Sequence, residues 1–162
     1  MTKAKIKNIT QLKKITDRLK SKAKKIVFTN GCFDLLHYGH VKYLAEAKIK
    51  GDILIVAVNS NSSIKRLKGR LRPIIGEKDR LRIIAALESV DYVIAFKEDT
   101  PLKLIQTLKP DILVKGADWP KKDIVGREVV LSYSGRVKTI KLAGGRSTSA
   151  LIKKIAQRFY NY

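Results

Sequence analysis

Apolar positions recur along this chain with two different periods. Ile6, Ile9, Leu12, Ile15 and Leu19 fall at helical spacing with lysines on the opposite face, which predicts an amphipathic helix over about 6–20. Between Lys24 and Thr29 the pattern becomes a short apolar run, Ile26-Val27-Phe28, of strand length. Val41, Leu44, Ala45 and Ile49 return to helical spacing, and Gly51 is suited to stop that helix. Ile53-Leu54-Ile55-Val56-Ala57-Val58 is continuously apolar, as expected of a strand covered on both faces of a parallel sheet.

The alternation continues. A helix opens at Gly76-Glu77-Lys78-Asp79-Arg80, with Leu81, Ile84, Ala85 and Leu87 as its apolar face, and Tyr92–Phe96 is a third strand. Thr100-Pro101 reads as a cap followed by proline at the first helical position, with Pro110 ending the helix. Ile112-Leu113-Val114 is a fourth strand, a helix is expected from Asp123 to about Tyr133 with Gly135 as its stop, and 136–140 is a fifth strand. Ser147-Thr148-Ser149 begins a last helix whose Leu151, Ile152 and Ile155 are expected to face inward. Strands alternating with helices, without repeats or a low-complexity linker, predict an α/β fold: a Rossmann-like three-layer sandwich with a five-stranded parallel sheet, one domain over 1–162.

Composition narrows the class. Hydrophobic residues make up 44% and charged residues 30%, as in soluble globular proteins. A single cysteine, Cys32, excludes an intrachain disulfide and reads as a small filler beside a strand. No apolar run approaches ~18 residues, so no membrane span is expected. Met1-Thr2-Lys3-Ala4-Lys5 lacks a following apolar region, so it is not read as a signal peptide and the cytoplasm is the expected compartment. The net charge of +21, from 35 Lys and Arg against 14 Asp and Glu, suits nucleic acid, an acidic membrane surface or small polyanionic substrates. The lysines are dispersed and carry no RNA-binding aromatic signature. A nucleic-acid-binding module is therefore the rival from another class, testable by the salt dependence of binding.

The candidate chemistry begins where the first strand ends. Thr29-Asn30-Gly31-Cys32-Phe33-Asp34-Leu35-Leu36-His37-Tyr38-Gly39-His40 reads as strand, glycine-containing turn and helix start, and it holds both histidines of the chain. Such a turn presents backbone N–H groups and the positive end of a helix to a phosphate. Each imidazole can donate a hydrogen bond to a phosphate oxygen, and Gly39 removes a Cβ from the approach. Two other readings stand beside this one. The histidines could be ordinary surface residues, which leaves their clustering unexplained. They could be a metal pair, for which Cys32 and Asp34 are the sole local supplements.

Two further stretches extend the picture. Lys65, Arg66, Lys68, Arg70 and Arg72 lie within eight residues around Gly69, either a solvated basic loop or a flap that closes over phosphates. Ser147-Thr148-Ser149 follows Gly144-Gly145-Arg146; a cap explains one hydroxyl, whereas three hydroxyls at a helix start can hold a second phosphate. With Glu77–Arg80 and Gly116-Ala117-Asp118-Trp119, these stretches all fall on the carboxyl edge of the sheet, where open α/β folds bind ligands.

Gly31-x-Phe33-Asp34-x-x-His37-x-Gly39-His40 resembles the signature loop of the cytidylyltransferase-like nucleotidyltransferases. The likeness runs from about Lys24 to Ile155. Within the family, Thr29 to Asp34, Ile64 to Gly69 with Arg72-Pro73, and Ser147-Thr148-Ser149 with Ile152-Lys153-Lys154-Ile155 are most similar to the branch that makes ADP-heptose from heptose 1-phosphate. Some members carry an arginine where this chain has Leu142, a departure that speaks against a glycerol-phosphate cytidylyltransferase. Many members of the branch are fused behind a sugar kinase; the stretch at hand is expected to be the stand-alone form.

The resemblance implies a set of roles. His37, His40, Lys65 and Lys68 would be catalytic, the histidines on the α and β phosphates of ATP. Thr29, Asn30, Gly31, Cys32, Phe33, Asp34, Gly39, Arg80, Gly116, Asp118, Trp119, Ser147, Thr148 and Ser149 would bind the nucleotide. Arg66 and Arg72 would take the substrate phosphate. Mg²⁺ would be held mainly by ATP phosphates, with no protein metal ligands. The implied partners are ATP and a sugar 1-phosphate, with no membrane and no nucleic acid, and a homodimer is allowed. The implied alternative is a cytidylyl- or guanylyltransferase for another phosphorylated sugar or alcohol.

Overall fold

The computed structural model describes residues 2–117, 120–141 and 147–159. Five strands form one all-parallel sheet: β1 (Ile26–Gly31), β2 (Ile53–Asn59), β3 (Tyr92–Phe96), β4 (Ile112–Gly116) and β5 (Arg136–Ile140). Their order is β3-β2-β1-β4-β5, so the winding reverses between β1 and β4. In such sheets that reversal opens a crevice at the carboxyl ends of the strands.

Side chains alternate across each strand and feed two separate cores. On one face Val27, Leu54, Val56, Val58, Val93 and Val114 pack with Tyr43, Leu44 and Ala47 of α3 (Tyr38–Lys48) and with Leu81, Ile84 and Ala85 of α5 (Glu77–Ala86). On the other face Ile26, Phe28, Ile55, Ile94, Phe96 and Leu113 pack with Leu12 of α2 (Ile9–Lys20), with Leu104, Ile105 and Leu108 of α6 (Leu102–Leu108), and with Val130 of α7 (Arg127–Ser132). This is the three-layer sandwich expected from the continuous apolar runs.

Several boundaries differ from the sequence expectation. The helix expected over about 6–20 begins only at Ile9, as α2, and a separate turn of helix, α1 (Thr2–Lys5), precedes it. Ile6 bridges to Val93 and the Lys7 N–H donates to the Val93 carbonyl, so this segment covers part of the edge strand β3. Asn8 then restarts the helix through a capping box with Gln11. Pro101 is itself the cap residue of α6, with Thr100 outside it. The helix expected from Asp123 is a single 3-10 turn (Lys121–Asp123) followed by α7. Gly126 separates the two at φ 88°, and a Cβ there would stand 2.5 Å from Ile105 Cδ1.

Two further corrections bear on the site. The basic stretch expected to be a flap is helical through Lys68: α4 (Asn61–Lys68) is capped by Ser60, whose Oγ accepts the Ser63 N–H at 3.2 Å, and it buries Ile64. The exposed connection is limited to 69–76. The last helix, α8 (Thr148–Phe159), buries none of its side chains fully; Leu151 and Ile152 are half-buried and Ile155 is exposed.

Candidate active site

β1 ends at Gly31, and the chain turns tightly before α3. A Cβ on Gly31 would meet the Phe33 ring at 3.1 Å, so glycine lets that ring fold back. Phe33 sits at φ 45°, a conformation costly for a side chain with a bulky ring. Its reward is position: the ring is buried and packs against His40, with centroids 5.5 Å apart. His40 in turn stacks on His37 at 3.9 Å with 29° between the planes.

His37 caps α3 with extended backbone, and its carbonyl accepts the His40 N–H at 2.8 Å. The His37 N–H points to His40 Nδ1 at 3.4 Å. With Nδ1 as acceptor, the neutral His40 ring carries its proton on Nε2 and offers it as a fixed donor. Burial, and then the neighbouring His37, push the pKa of His40 down to about 4. At neutral pH the ring is therefore an uncharged donor whose direction is set by packing and by the His37 N–H.

That shift makes stability depend on pH. An unfolded histidine titrates near ~6.5. Between that value and about 4 the unfolded chain binds a proton that the folded chain refuses. Stability therefore rises with pH through this window and falls as pH drops from ~6.5 towards about 4. Thermal melts of the wild type and of His40→Gln across the window are expected to converge at acid pH. Parallel curves would show that His40 is not the titrating group.

Asp34 is 1% exposed and acts as a clamp. Its carboxylate accepts the N–H groups of Ile74 and Ile75, both at 2.8 Å, and pairs with Arg72. Burial pushes its pKa up, but the hydrogen bonds from Ile75, Ile74 and Arg72 outweigh burial and hold it below the ordinary carboxylate range. The 72–75 segment is thereby fastened to the histidine loop. Arg80 has no exposed surface; it donates to the carbonyls of Ile75 (3.0 Å) and Cys32 (2.7 Å) and to Asn61 Oδ1 (3.0 Å). The Asn61 N–H reaches Glu77 at 3.2 Å. One buried guanidinium thus joins the histidine loop, the 69–76 connection and the start of α4.

These contacts show where the structure places the expected site residues. Thr29 is fully buried, its hydroxyl within 2.7 Å of Tyr43 Oη. Tyr43 also donates to the Val114 carbonyl at 3.2 Å and so ties β1, α3 and β4 together. Phe33 backs His40 rather than facing solvent, and Asp34 and Arg80 brace the loop from within. Arg66 is engaged by Asp99 at 2.7 Å and by the Lys97 carbonyl, both in the segment after β3. Arg72, expected on a substrate phosphate, is committed to Asp34. Lys65 and Lys68 are exposed on the last turn of α4. Burial pushes the Cys32 thiol up, and the charges of Lys68, Arg80 and Arg72 pull it down.

The start of α8, where a second phosphate site is expected, lies against the histidine loop. Thr148 Oγ1 donates to the Leu35 carbonyl across 3.5 Å, so the start of α8 stands at the histidine loop. The Ser147 Oγ accepts the Ala150 N–H at 3.1 Å and serves as the cap; Ser149 is exposed. Gly116 ends β4 beside this edge. Asp118 and Trp119, expected at the nucleotide, lie outside the described residues, as do Gly144, Gly145 and Arg146.

One residue of this edge was not singled out from the sequence. Lys115, the penultimate residue of β4, donates to Asn30 Oδ1 at 2.8 Å across the reversal point between β1 and β4. Its signal was present as a lysine directly before Gly116 at a strand's carboxyl end. Two helix starts, the stacked His37–His40 pair and several cations thus converge on one strand edge, a suitable cradle for a chain of phosphates.

Comparison with known proteins agrees with that geometry. A family model described as cytidylyltransferase-like matches residues 28–154. The bifunctional protein HldE of Geobacter metallireducens is 54% identical over 156 residues, covering 96% of this chain and 32% of that protein. HldE of Helicobacter pylori is 54% identical over 147 residues, covering 91% and 31%. The chain therefore spans about a third of the length of the curated relatives it matches. Among solved structures, the lipopolysaccharide core biosynthesis protein from Thermoplasma volcanium is 33% identical with a TM-score of 0.59, covering 74% of this chain and 97% of that one. Pantoate-beta-alanine ligase from Francisella tularensis, 18% identical with a TM-score of 0.61 over 97% of this chain and 78% of that one, shares the fold. The matched span, the histidine loop within it and the identity to these relatives make this chain a member of the cytidylyltransferase-like family of nucleotidyltransferases.

Proposed function

We propose that this domain transfers AMP from ATP to D-glycero-D-manno-heptose 1-phosphate, giving ADP-heptose and pyrophosphate. The observation that carries the reaction class is the meeting of the His37–His40 loop with the start of α8 through Thr148 and Leu35. A triphosphate chain can span two such anion sites.

In the proposed step an oxygen of the sugar phosphate attacks the α-phosphorus of ATP. The bond from that phosphorus to the bridging oxygen breaks, and pyrophosphate leaves with the electron pair. Negative charge grows on the α-phosphate oxygens and on the leaving group. His40, as a neutral donor, and His37 would meet that charge, while the N–H groups at the start of α8 and the hydroxyls of Ser147, Thr148 and Ser149 would hold the leaving phosphates. Lys65 and Lys68 would draw the acceptor phosphate towards the loop. Arg72, Arg80, Phe33 and Asp34 would keep these groups in register.

Among the described residues no three His, Cys, Asp or Glu side chains assemble into a metal cage. A magnesium ion would travel with ATP on its phosphate oxygens and neutralise part of their charge. No helix among the described residues is long and apolar enough to cross a membrane. The cytoplasm, where ATP is abundant, is the compartment we assign to the reaction.

The choice of heptose and ATP rests on sequence likeness to the ADP-heptose-forming branch and to the HldE relatives. An ADP-sugar precursor for a lipopolysaccharide core also fits the structural neighbour from Thermoplasma volcanium. The test is a pyrophosphate-release screen over the four nucleoside triphosphates and several sugar phosphates, with the product identified by mass. ADP-heptose from ATP is the expected result. Use of CTP with glycerol 3-phosphate would replace the substrates and keep the mechanism; no pyrophosphate from any pair would overturn both.

A further inference from the structure

The carboxyl edge does not absorb all of the chain's positive charge. At the opposite edge, where the strands begin, Lys20, Lys25, Lys50, Lys109 and Arg136 surround a cleft of about 460 Å³. These cations come from separate places in the fold: the end of α2, the residue before β1, the turn before β2, the turn before β4 and the first residue of β5. They are not one solvated helix face. The topology of the sheet gathers them, and strands of five to seven residues set the cleft roughly 17–23 Å from the histidine loop.

The cleft has one carboxylate, Asp111, and that group is already engaged. It accepts the Ile26 N–H at 2.9 Å and stands 3.5 Å from Lys25 Nζ. Lys20 is half-buried and donates to the carbonyls of Leu108 (2.9 Å) and Lys109 (2.5 Å) at the end of α6, which fixes its position. Burial lowers the pKa of Lys20; Asp111 and Asp17 counter this, while Lys13 and Lys109 add to it. The ammonium is thus held at the rim of the cleft by the two carbonyls, with burial as the main cost of its charge. Tyr133 forms a fixed wall, its hydroxyl donating to the Pro110 carbonyl at 3.1 Å. The space matches that of small-ligand sites, which run from about 300 to 1,000 Å³.

We propose that this cleft is a second anion site, separate from the active site, that takes a chain of two or three phosphates, either free or carried by a nucleoside. A concave wall and cations converging from five segments suit a compact polyphosphate better than a long nucleic-acid backbone, which tracks an extended basic surface.

The test is isothermal titration of the full chain with inorganic tripolyphosphate, using two variants. His37→Ala/His40→Ala weakens the carboxyl-edge site. Lys50→Glu/Lys109→Glu/Arg136→Glu reverses three exposed charges of the cleft, and melting curves confirm that it folds. The expected result is that the histidine variant still binds tripolyphosphate, and that adding the three cleft substitutions to it weakens that binding about tenfold or more. Pyrophosphate release by the cleft variant alone is expected to stay at the wild-type level. Titration with ATP separates the two sources: in the histidine variant, equal affinity means that free phosphates suffice, and tighter binding means that the nucleoside is held too. Loss of all tripolyphosphate binding in the histidine variant overturns the proposal. So does undiminished binding after the cleft substitutions, or a cleft variant that loses affinity for a short DNA duplex and keeps it for tripolyphosphate.

Discussion

His40→Ala is expected to lower turnover by about a hundredfold or more while the chain still folds. The size follows from where the imidazole stands and what fixes it. Phe33 backs it at 5.5 Å, His37 stacks on it at 3.9 Å, and the His37 N–H assigns its proton to Nε2. A donor held this way needs no reorganisation when charge develops on the α-phosphate, and no water replaces it with the same direction. Its depressed pKa keeps it uncharged at neutral pH, so it does not bind ground-state phosphate as a cation would. The loss is therefore expected mainly in kcat, with a smaller change in KM. His40→Asn, which retains an N–H donor on a shorter side chain, is expected to fall between the alanine variant and the wild type. Steady-state pyrophosphate release, read beside a thermal melt, checks this. Turnover near that of the wild type in a folded His40→Ala protein would remove His40 from the chemistry.

The sheet was legible because each central strand is an apolar run flanked by polar residues, as in Ile53 to Val58, and the run needs no knowledge of its neighbours. The histidine loop was legible for a similar reason: its residues are contiguous, and strand, turn and helix follow directly. What failed was whatever depends on contacts distant in sequence. Lys65 to Arg72 looked like a repelling, mobile loop. Yet Ser60 caps α4, Ile64 buries itself, and Asp99 takes up the charge of Arg66. The expected helix from Asp123 is interrupted because Gly126 must pass close to Ile105, a residue 21 positions earlier. Thr29, Asp34 and Arg80 were assigned to the nucleotide because they lie in or near the motif. Their partners, Tyr43, Ile74 and Ile75, and Cys32, give them a bracing role that spacing does not reveal. Family motifs combine ligand-facing groups with the groups that position them, and spacing alone does not separate the two. Lys115 was missed for the converse reason, as a single lysine in a chain with many.

Asp34→Ala is expected to be the most destabilising single substitution in the loop, by about 3–5 kcal/mol. The carboxylate is 1% exposed, and its acceptors serve the Ile74 N–H at 2.8 Å, the Ile75 N–H at 2.8 Å and Arg72. Truncation leaves those two amides without this acceptor and strands the Arg72 guanidinium, itself largely covered, without its counter-charge. Asp34→Asn keeps one oxygen for the amides but loses the charge, so a smaller loss is expected. The sign of the pH effect follows from the lowered carboxyl pKa. The stabilisation is fully present above the ordinary aspartate value near ~3.9 and is lost as pH falls through the lower folded value. The gap between wild type and variant should therefore be widest at neutral pH and narrow in strong acid. Denaturant unfolding of the wild type, Asp34→Ala and Asp34→Asn at neutral and acid pH reads all of this together. If the alanine variant at neutral pH unfolds within about 1 kcal/mol of the wild type, the 72–75 segment is held by something other than Asp34. If the expected loss is seen, activity should fall with it even where the variant remains folded, because the same clamp sets Arg72 and the histidine loop in register.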